Sequence, residues 1–283
     1  MRFISWNVGK PGRERIGKQV AALCARKPDV IALQEVTPQA ADAFRQQFEN
    51  EGFHHVADSF PRCGKDALKR GRQFGELLAS KFKLRQISSA KSGVRWHEKI
   101  LSVVVDTDWG EVEIHTVHIP NGSNHGRVKI ETFETIYKRL AVTTNSHRIL
   151  CGDFNTPQEE TPDGRIITWG QTKNAAGAFV IGKGRWDRVS SERWDLAERS
   201  VLEGLRRYDL SDLFREIHGY RTRNARAAFS YYNNHGRSFY RRFDHIYASA
   251  SLNGIKCGYL YQASLRQLSD HAPIEAEFQP DRH

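Results

Sequence analysis

Short apolar runs of strand length interleave with amphipathic helices along the whole chain, which predicts an α/β protein whose sheets lie beneath helices. Three observations support this. Runs such as Leu101 to Val105 are far too short to span a bilayer but long enough for a buried strand. Between them, apolar residues recur at helical spacing, as in Ile16, Val20, Leu23 and Cys24. The composition, 39% hydrophobic and 11% aromatic over 283 residues, suffices for a sizeable core, and no low-complexity segment or close internal repeat divides it. A single domain over residues 1–283 is expected.

The chain opens directly on a strand at residues 3–8, so no cleaved leader is expected. A helix at 13–27 follows and is stopped by Pro28-Asp29. Residues 30–36 read as a second buried strand, and 38–50 as a helix lined by Ala41, Phe44 and Phe48. Strand candidates lie at 53–57, 75–80 and 100–106, the last paired with 111–118 across the turn Asp108-Trp109-Gly110. Residues 127–143 place Phe133, Ile136, Tyr137 and Leu140 on one helical face, and 148–151 form a strand. Residues 157–190, rich in Gly, Thr and Arg and without sustained period, read as a surface excursion with room for a short hairpin. Helices at 192–206 and 210–218 and strands at 227–232, 239–249 and 272–278 complete the chain.

The net charge of +10 makes a polyanion such as nucleic acid the first candidate partner, because neutralised phosphates release counterions. The same surplus also serves as a solubilising surface. Cys24, Cys63, Cys151 and Cys257 form no Cys-x-x-Cys pair, which argues against zinc and thioredoxin-type chemistry. Buried reduced thiols in a cytoplasmic protein fit best. No segment points to a membrane or to an obligate protein partner.

Polar residues recur where buried strands end. Asn7 follows Ser5-Trp6, and Glu35 follows Ile31-Ala32-Leu33-Gln34. His118 ends Thr116-Val117 before Ile119-Pro120-Asn121, and Asp153 and Asn155 follow Ile149-Leu150-Cys151-Gly152. Asp244 interrupts Arg242-Phe243-Asp244-His245-Ile246, and Asp270 and His271 precede the last strand. Singly, such residues are ordinary turn formers that bond their own backbone. Gathered together, they would be costly to bury unless a metal or substrate used them.

In this order the segments resemble the endonuclease/exonuclease/phosphatase superfamily. Its branches include exonuclease III-type and abasic-site endonucleases, DNase I-like enzymes, tyrosyl-DNA phosphodiesterases, sphingomyelinases and inositol polyphosphate phosphatases. The likeness runs from Asn7 to His271, with Gly152-Asp153-Phe154-Asn155 and Ser269-Asp270-His271 its most specific parts. It implies a four-layer αββα sandwich, two packed mixed β-sheets flanked by helices, with the site at one end of the sheets. It also implies a Mg²⁺-dependent phosphodiesterase, with Mn²⁺ as a substitute.

The resemblance makes Glu35 the principal metal ligand, with Asn7 and Asp270 close to the metal or joined to it through water. Mg²⁺ suits such an oxygen-rich set. Asp153 would orient or deprotonate the attacking water, and Asn155 would hold that water or a phosphate oxygen. His271 would donate to a non-bridging oxygen, with Asp244 fixing its tautomer and favouring its charged form. His118 stands where exonuclease III-like enzymes carry Tyr and where the DNase I-like and tyrosyl-DNA phosphodiesterase branches carry His. Either side chain can donate to phosphate. His115, earlier in the same strand, reads as a strand residue.

Arg241 stands where an abasic-site enzyme would place an aromatic wall residue, although Phe243 and Tyr231 suit such a wall, so an abasic pocket is not supported. Arg62, Lys65, Lys69, Arg70 and Arg72 crowd one loop. Arg221, Arg223, Arg226, Arg237, Arg241 and Arg242 form a second group, interleaved with aromatic residues. The mixture suits a nucleic-acid groove or, equally, a solvated face over an aromatic core. Asn121, Arg62, Arg72, Tyr231, Arg241 and Phe243 are therefore the candidate substrate contacts, while Lys129 and Arg139 read as ordinary helix-surface charges. The leading expectation is a DNA nuclease. The alternatives are a phosphatase or phosphodiesterase on a tyrosyl-DNA, phosphoinositide or sphingomyelin-type substrate, and a non-catalytic nucleic-acid-binding module.

Overall fold

A computed structural model describes residues 1–60, 72–87, 93–221, 228–233 and 239–279. Its first half contains β1 (Arg2–Asn7), α1 (Arg13–Cys24), β2 (Val30–Val36), α2 (Pro38–Asn50), β3 (His55–Asp58), β4 (Gly75–Ser80) and β5 (Leu84–Ile87). There follow β6 (Ile100–Thr107), β7 (Gly110–His118), α3 (Gly122–Leu140) and β8 (His147–Asp153). Three short antiparallel ladders then run from β9 to β14: Glu159–Glu160 with Ile166–Ile167, Gln171–Lys173 with Phe179–Ile181, and Arg185–Trp186 with Val189–Ser190. The chain continues through α4 (Ser191–Leu202), β15 (Ser211–Asp212), α5 (Leu213–His218), β16 (Tyr231–Asn233), β17 (Phe239–Arg241), β18 (Asp244–Ala248), β19 (Gly254–Tyr259) and β20 (Ile274–Phe278).

Two six-stranded sheets form, ordered β19-β20-β1-β2-β4-β3 and β15-β18-β8-β7-β6-β5. Each is mixed: β1–β2 and β7–β8 pair in parallel and the other pairs are antiparallel. A parallel neighbour needs a crossover, and α1 and α3 supply the two. The pleat then sorts the side chains into layers. Phe3, Val30, Ala32 and Leu78 of one sheet meet Val103, Ile114, Ile149 and Ile246 of the other in the central core. On the reverse of the first sheet Ile4, Trp6, Ile31 and Leu33 pack against Ile16 and Val20 of α1 and Phe44 and Phe48 of α2. On the reverse of the second, Val117 and Leu150 pack against Ile130, Phe133 and Ile136 of α3 and Val201 of α4. The result is the expected αββα sandwich.

Departures from the sequence reading have local causes. The half-exposed β5 and the glycine-bearing β19, with Ile255 exposed, lack an apolar strand signature. Residues 239–249 divide into β17 and β18, because β17 pairs with β16 while β18 joins the second sheet beside β8. The helix expected at 127–143 begins at Gly122, capped by Asn121, with a break at His125. The excursion builds three ladders where one hairpin was expected. No described helix is long and apolar enough to cross a membrane.

Candidate active site

The parallel pairs carry Asn7, Glu35, His118 and Asp153 at their C-terminal ends, and the antiparallel β18 begins there with Asp244. The cross-strand register sets Asp153 between His118 and Asp244. Gly152 permits this: its φ is +126°, and a Cβ would stand 2.0 Å from the Val117 carbonyl oxygen of the neighbouring strand. Glu35 and Asn155 both adopt left-handed backbone, with φ of 57° and 51°. Glu35 lies at an irregularity of the β2–β4 ladder, between Leu33 and Val36. Such conformations are costly outside glycine and persist where the surroundings over-determine them, commonly at functional sites.

Asp153 is the centre of the arrangement. Its Oδ2 accepts from Asn7 Nδ2 at 2.9 Å, and its Oδ1 accepts from the Asn155 backbone N–H at 2.9 Å. The Nε2 atoms of His118 and His271 each stand 3.7 Å from Oδ2. Burial pushes the Asp153 carboxyl up to about 7; His271 opposes this and Asp244 adds to it. His271 Nδ1 lies 2.7 Å from Asp244 Oδ2. Burial disfavours the His271 charge, but Asp244 and Asp153 outweigh it and raise the imidazole to about 10. His118 is shifted the other way, well below its ordinary value, by burial and by Lys99, His271 and Lys10. At neutral pH the site therefore holds one imidazolium and one neutral imidazole, and the close approaches of His118 to carboxylates are not ion pairs.

The oxygen donors lie to one side. Glu35 Oε1 is 3.7 Å from His118 Nε2 and Oε2 is 3.3 Å from Lys10 Nζ. Asn7 Oδ1 accepts from Gly9 N–H at 3.1 Å, and the exposed Asp270 carboxylate sits beside that same glycine. Two carboxylates and an amide oxygen fit a hard divalent cation. A second group, Asp153, Asp244 and His271, places one ligand atom of each within 4.8 Å of the others. In it His271 is charged and bonded to Asp244, so its nitrogens are committed to protons, and the oxygen-only group is the better match for Mg²⁺. Asp244 Oδ1 is buried without a hydrogen-bond partner among the described residues.

Glu35, His118, Asp153, Asn155, Asp270 and His271 floor a cleft of about 1200 Å³, whereas Asn7 and Asp244 are buried and do not line it. Asn121 lies exposed at its edge as the cap of α3, its Oδ1 accepting from Ser123 N–H at 2.9 Å. Tyr231 stacks on Phe243 with ring centroids 5.4 Å apart and lies 5.0 Å from the His271 ring, and Arg241 lines the same wall. Arg72 does not line the cleft: it makes two 2.6 Å bonds to the buried Glu98 and lies 5.1 Å over the Trp96 ring, which does. Arg62, Lys65, Lys69, Arg70, Arg223, Arg226 and Arg237 lie outside the described residues. Arg242, counted among the basic groove residues, is buried in ion pairs with Glu160 and Asp212 at 2.7 and 2.6 Å. His115 is a buried strand residue bonded to Ser102 at 2.8 Å.

Lys129 departs from the surface position expected of it. It is buried, pairs with Glu198 at 3.0 Å and donates to the Asn155 carbonyl at 2.8 Å, bracing the left-handed turn. Lys99, unmarked in the sequence, is also buried at the cleft and donates to the Phe74 carbonyl at 2.9 Å; burial is the main cause that lowers it to about 7. Trp96, Trp169, Trp186 and Trp194 complete the walls and were equally unmarked.

The profile of the Endonuclease/Exonuclease/phosphatase family matches residues 4–271. The chain belongs to that family. Its members are hydrolases acting on phosphodiester bonds and are generally dependent on divalent metals. Solved structures share the fold. An AP endonuclease from Archaeoglobus fulgidus aligns with TM-score 0.68 and 20% identity over 99% of each chain. A variant of the 3′ phosphatase NExo from Neisseria, bound to a product DNA hairpin, gives 0.67 and 20% over 99% of each. A humanized D. rerio TDP2 gives 0.64 and 14% over 99% of this chain and 98% of its own. A search of curated protein sequences finds no match.

Proposed function

We propose that the protein is a Mg²⁺-dependent DNA nuclease, able to use Mn²⁺, that hydrolyses phosphodiester bonds by attack of water. The observation that carries this reading is the placement of Asp153, one carboxylate oxygen 2.9 Å from the Asn7 amide and 3.7 Å from each of two imidazoles, one charged and one neutral. Asp153 accepts a proton from the attacking water as its oxygen bonds to phosphorus and the bond to the leaving oxygen breaks. His271, held protonated and oriented by Asp244, donates to a non-bridging oxygen, and neutral His118 and the Asn155 amide add donors to the same developing charge. Glu35, Asn7 and Asp270 would hold the Mg²⁺, which supplies charge neutralisation at the phosphate oxygens when bound. Asn121, Tyr231, Arg241 and Phe243 contact the flanking nucleotides, with Arg62 as a further phosphate contact and Arg72 acting through Trp96. Free Cys24, Cys151 and Cys257 support a cytoplasmic setting.

A panel of single-stranded, duplex and abasic DNA, RNA, a 5′-tyrosyl end and a phosphomonoester, each with Mg²⁺, Mn²⁺ or EDTA, tests this. Metal-dependent cleavage of internucleotide DNA bonds is expected. Turnover confined to the tyrosyl end or the monoester, or cleavage undiminished in EDTA, would overturn it.

A further inference from the structure

Two of the largest exposed apolar side chains among the described residues line the cleft that holds the proposed catalytic residues. Trp169 is 41% exposed and Trp186 is 57% exposed, and both line the cleft. They are nevertheless fixed. Trp169 Nε1 donates to the Asn155 carbonyl at 3.0 Å, the same oxygen that Lys129 binds, and Trp186 Nε1 donates to the Gly122 carbonyl at 2.8 Å. With each N–H committed to the protein, the ring surface is what remains for a ligand.

The α3 backbone beneath is shaped to receive the rings. At Gly126 a Cβ would lie 2.7 Å from Trp186 and 2.8 Å from Trp194, and at Gly122 one would lie 2.6 Å from Trp194. Lys129 lies 5.9 Å from the Trp169 ring and 5.8 Å from the Trp194 ring. Lys10 and Arg241 line the same cleft, so aromatic faces and cations are offered together. Duplex bases already stack on one another, whereas unpaired bases have faces to offer.

We propose that Trp169 and Trp186 form a stacking platform for unpaired bases flanking the scissile phosphate, making a single-stranded or frayed segment the preferred substrate. This rests on the nuclease reading for its site of cleavage, but the platform itself is measurable by binding alone.

Fluorescence anisotropy in EDTA separates the two. The probes are a labelled oligothymidylate, a blunt hairpin duplex of equal length, and a base-free deoxyribose-phosphate oligomer of equal charge. Trp169→Ala and Trp186→Ala each weaken oligothymidylate binding about ten-fold, the loss of one base–aromatic stack. Binding to the duplex and to the base-free oligomer changes less than about two-fold, because the phosphate contacts remain. Trp169→Phe and Trp186→Phe retain most of the affinity, and Trp109→Phe, in the β6–β7 turn, changes nothing. Equal losses on all three probes, or none on oligothymidylate, would overturn the platform and leave the nuclease reading standing. Ring-dependent binding without metal-dependent cleavage of any nucleic acid would overturn the nuclease reading alone.

Discussion

Asp244 and His271 are joined by a 2.7 Å hydrogen bond that leaves the imidazolium Nε2 facing Asp153, 3.7 Å away. Asp244 and Asp153 divide the labour between them. One carboxylate holds a charge in place, while the other, raised to about 7 chiefly by burial, is poised to exchange a proton near neutrality. Asp244→Asn should lower kcat by about 10²–10⁴-fold, since it removes the charge that keeps His271 protonated and oriented. Steady-state kinetics should show KM changed far less than kcat. A proportionate rise in KM alone would make Asp244 a binding residue.

Asp153→Asn keeps the shape of the side chain but removes the proton acceptor, and its single oxygen can accept from only one of Asn7 Nδ2 and the Asn155 N–H. Turnover should fall by about 10²–10⁴-fold. Circular dichroism and oligonucleotide anisotropy should report an intact fold and undiminished binding. A variant that cleaved at near wild-type rate would shift the base to another residue.

Glu35→Ala removes a carboxylate from the oxygen-donor group and releases Lys10, 3.3 Å away, into the cleft. The Mg²⁺ concentration for half-maximal activity should rise about ten-fold or more, consistent with Mg²⁺ depending on one or two carboxylates. Titration calorimetry should show the same weakening without substrate. Unchanged metal affinity would move the ion to the group around Asp153, Asp244 and His271.

Acid stability should trace to the buried ion cluster around Glu160. Glu160 is buried between Arg215 and Arg242, at 2.6 and 2.7 Å. Burial works against its charge, but the two guanidinium groups prevail and hold it at about 2, below the ordinary 4.5. A depressed carboxylate contributes its full stabilisation above the unfolded value and loses it as pH falls through the folded one. The contribution, roughly 3 kcal/mol, should therefore be complete above about pH 4.5 and vanish toward pH 2. Thermal melts should show Glu160→Gln destabilised at pH 7 and the difference from wild type shrinking across that window. A difference that stayed constant would place the stabilisation elsewhere.

The gathering of polar residues at one end of the sheets was legible because each follows or interrupts an apolar run; singly each is an ordinary turn former, but so many together at buried strand ends have few structural uses. Lys99 and Lys129 were not, because a long cationic side chain beside an apolar helical stripe or before a strand looks like ordinary surface until its partner is known. For Lys129 that partner is Glu198, sixty-nine residues away. Arg241 and Arg242 make the limit plain. They are adjacent and chemically identical, yet one lines the cleft and the other enters a buried ion cluster. The aromatic walls escaped for a different reason, since Trp169 lies in the turn between β10 and β11 and Trp186 in the two-residue β13, where there is no hydrophobic period to read.

The hydrogen bond from Asn7 to Asp153 runs from one sheet to the other, and behind it Gln34 reaches Thr116 at 2.9 Å and Thr116 reaches Glu76 at 3.2 Å. No single sheet owns the floor of the candidate site. It is a vernier between two stacked plates, and a slip too small to melt the protein would already misalign donors and acceptors. Conservative changes in the central core, at positions such as Val103 or Ile274 with no substrate contact, should thus register in the rate before they register in the melting temperature.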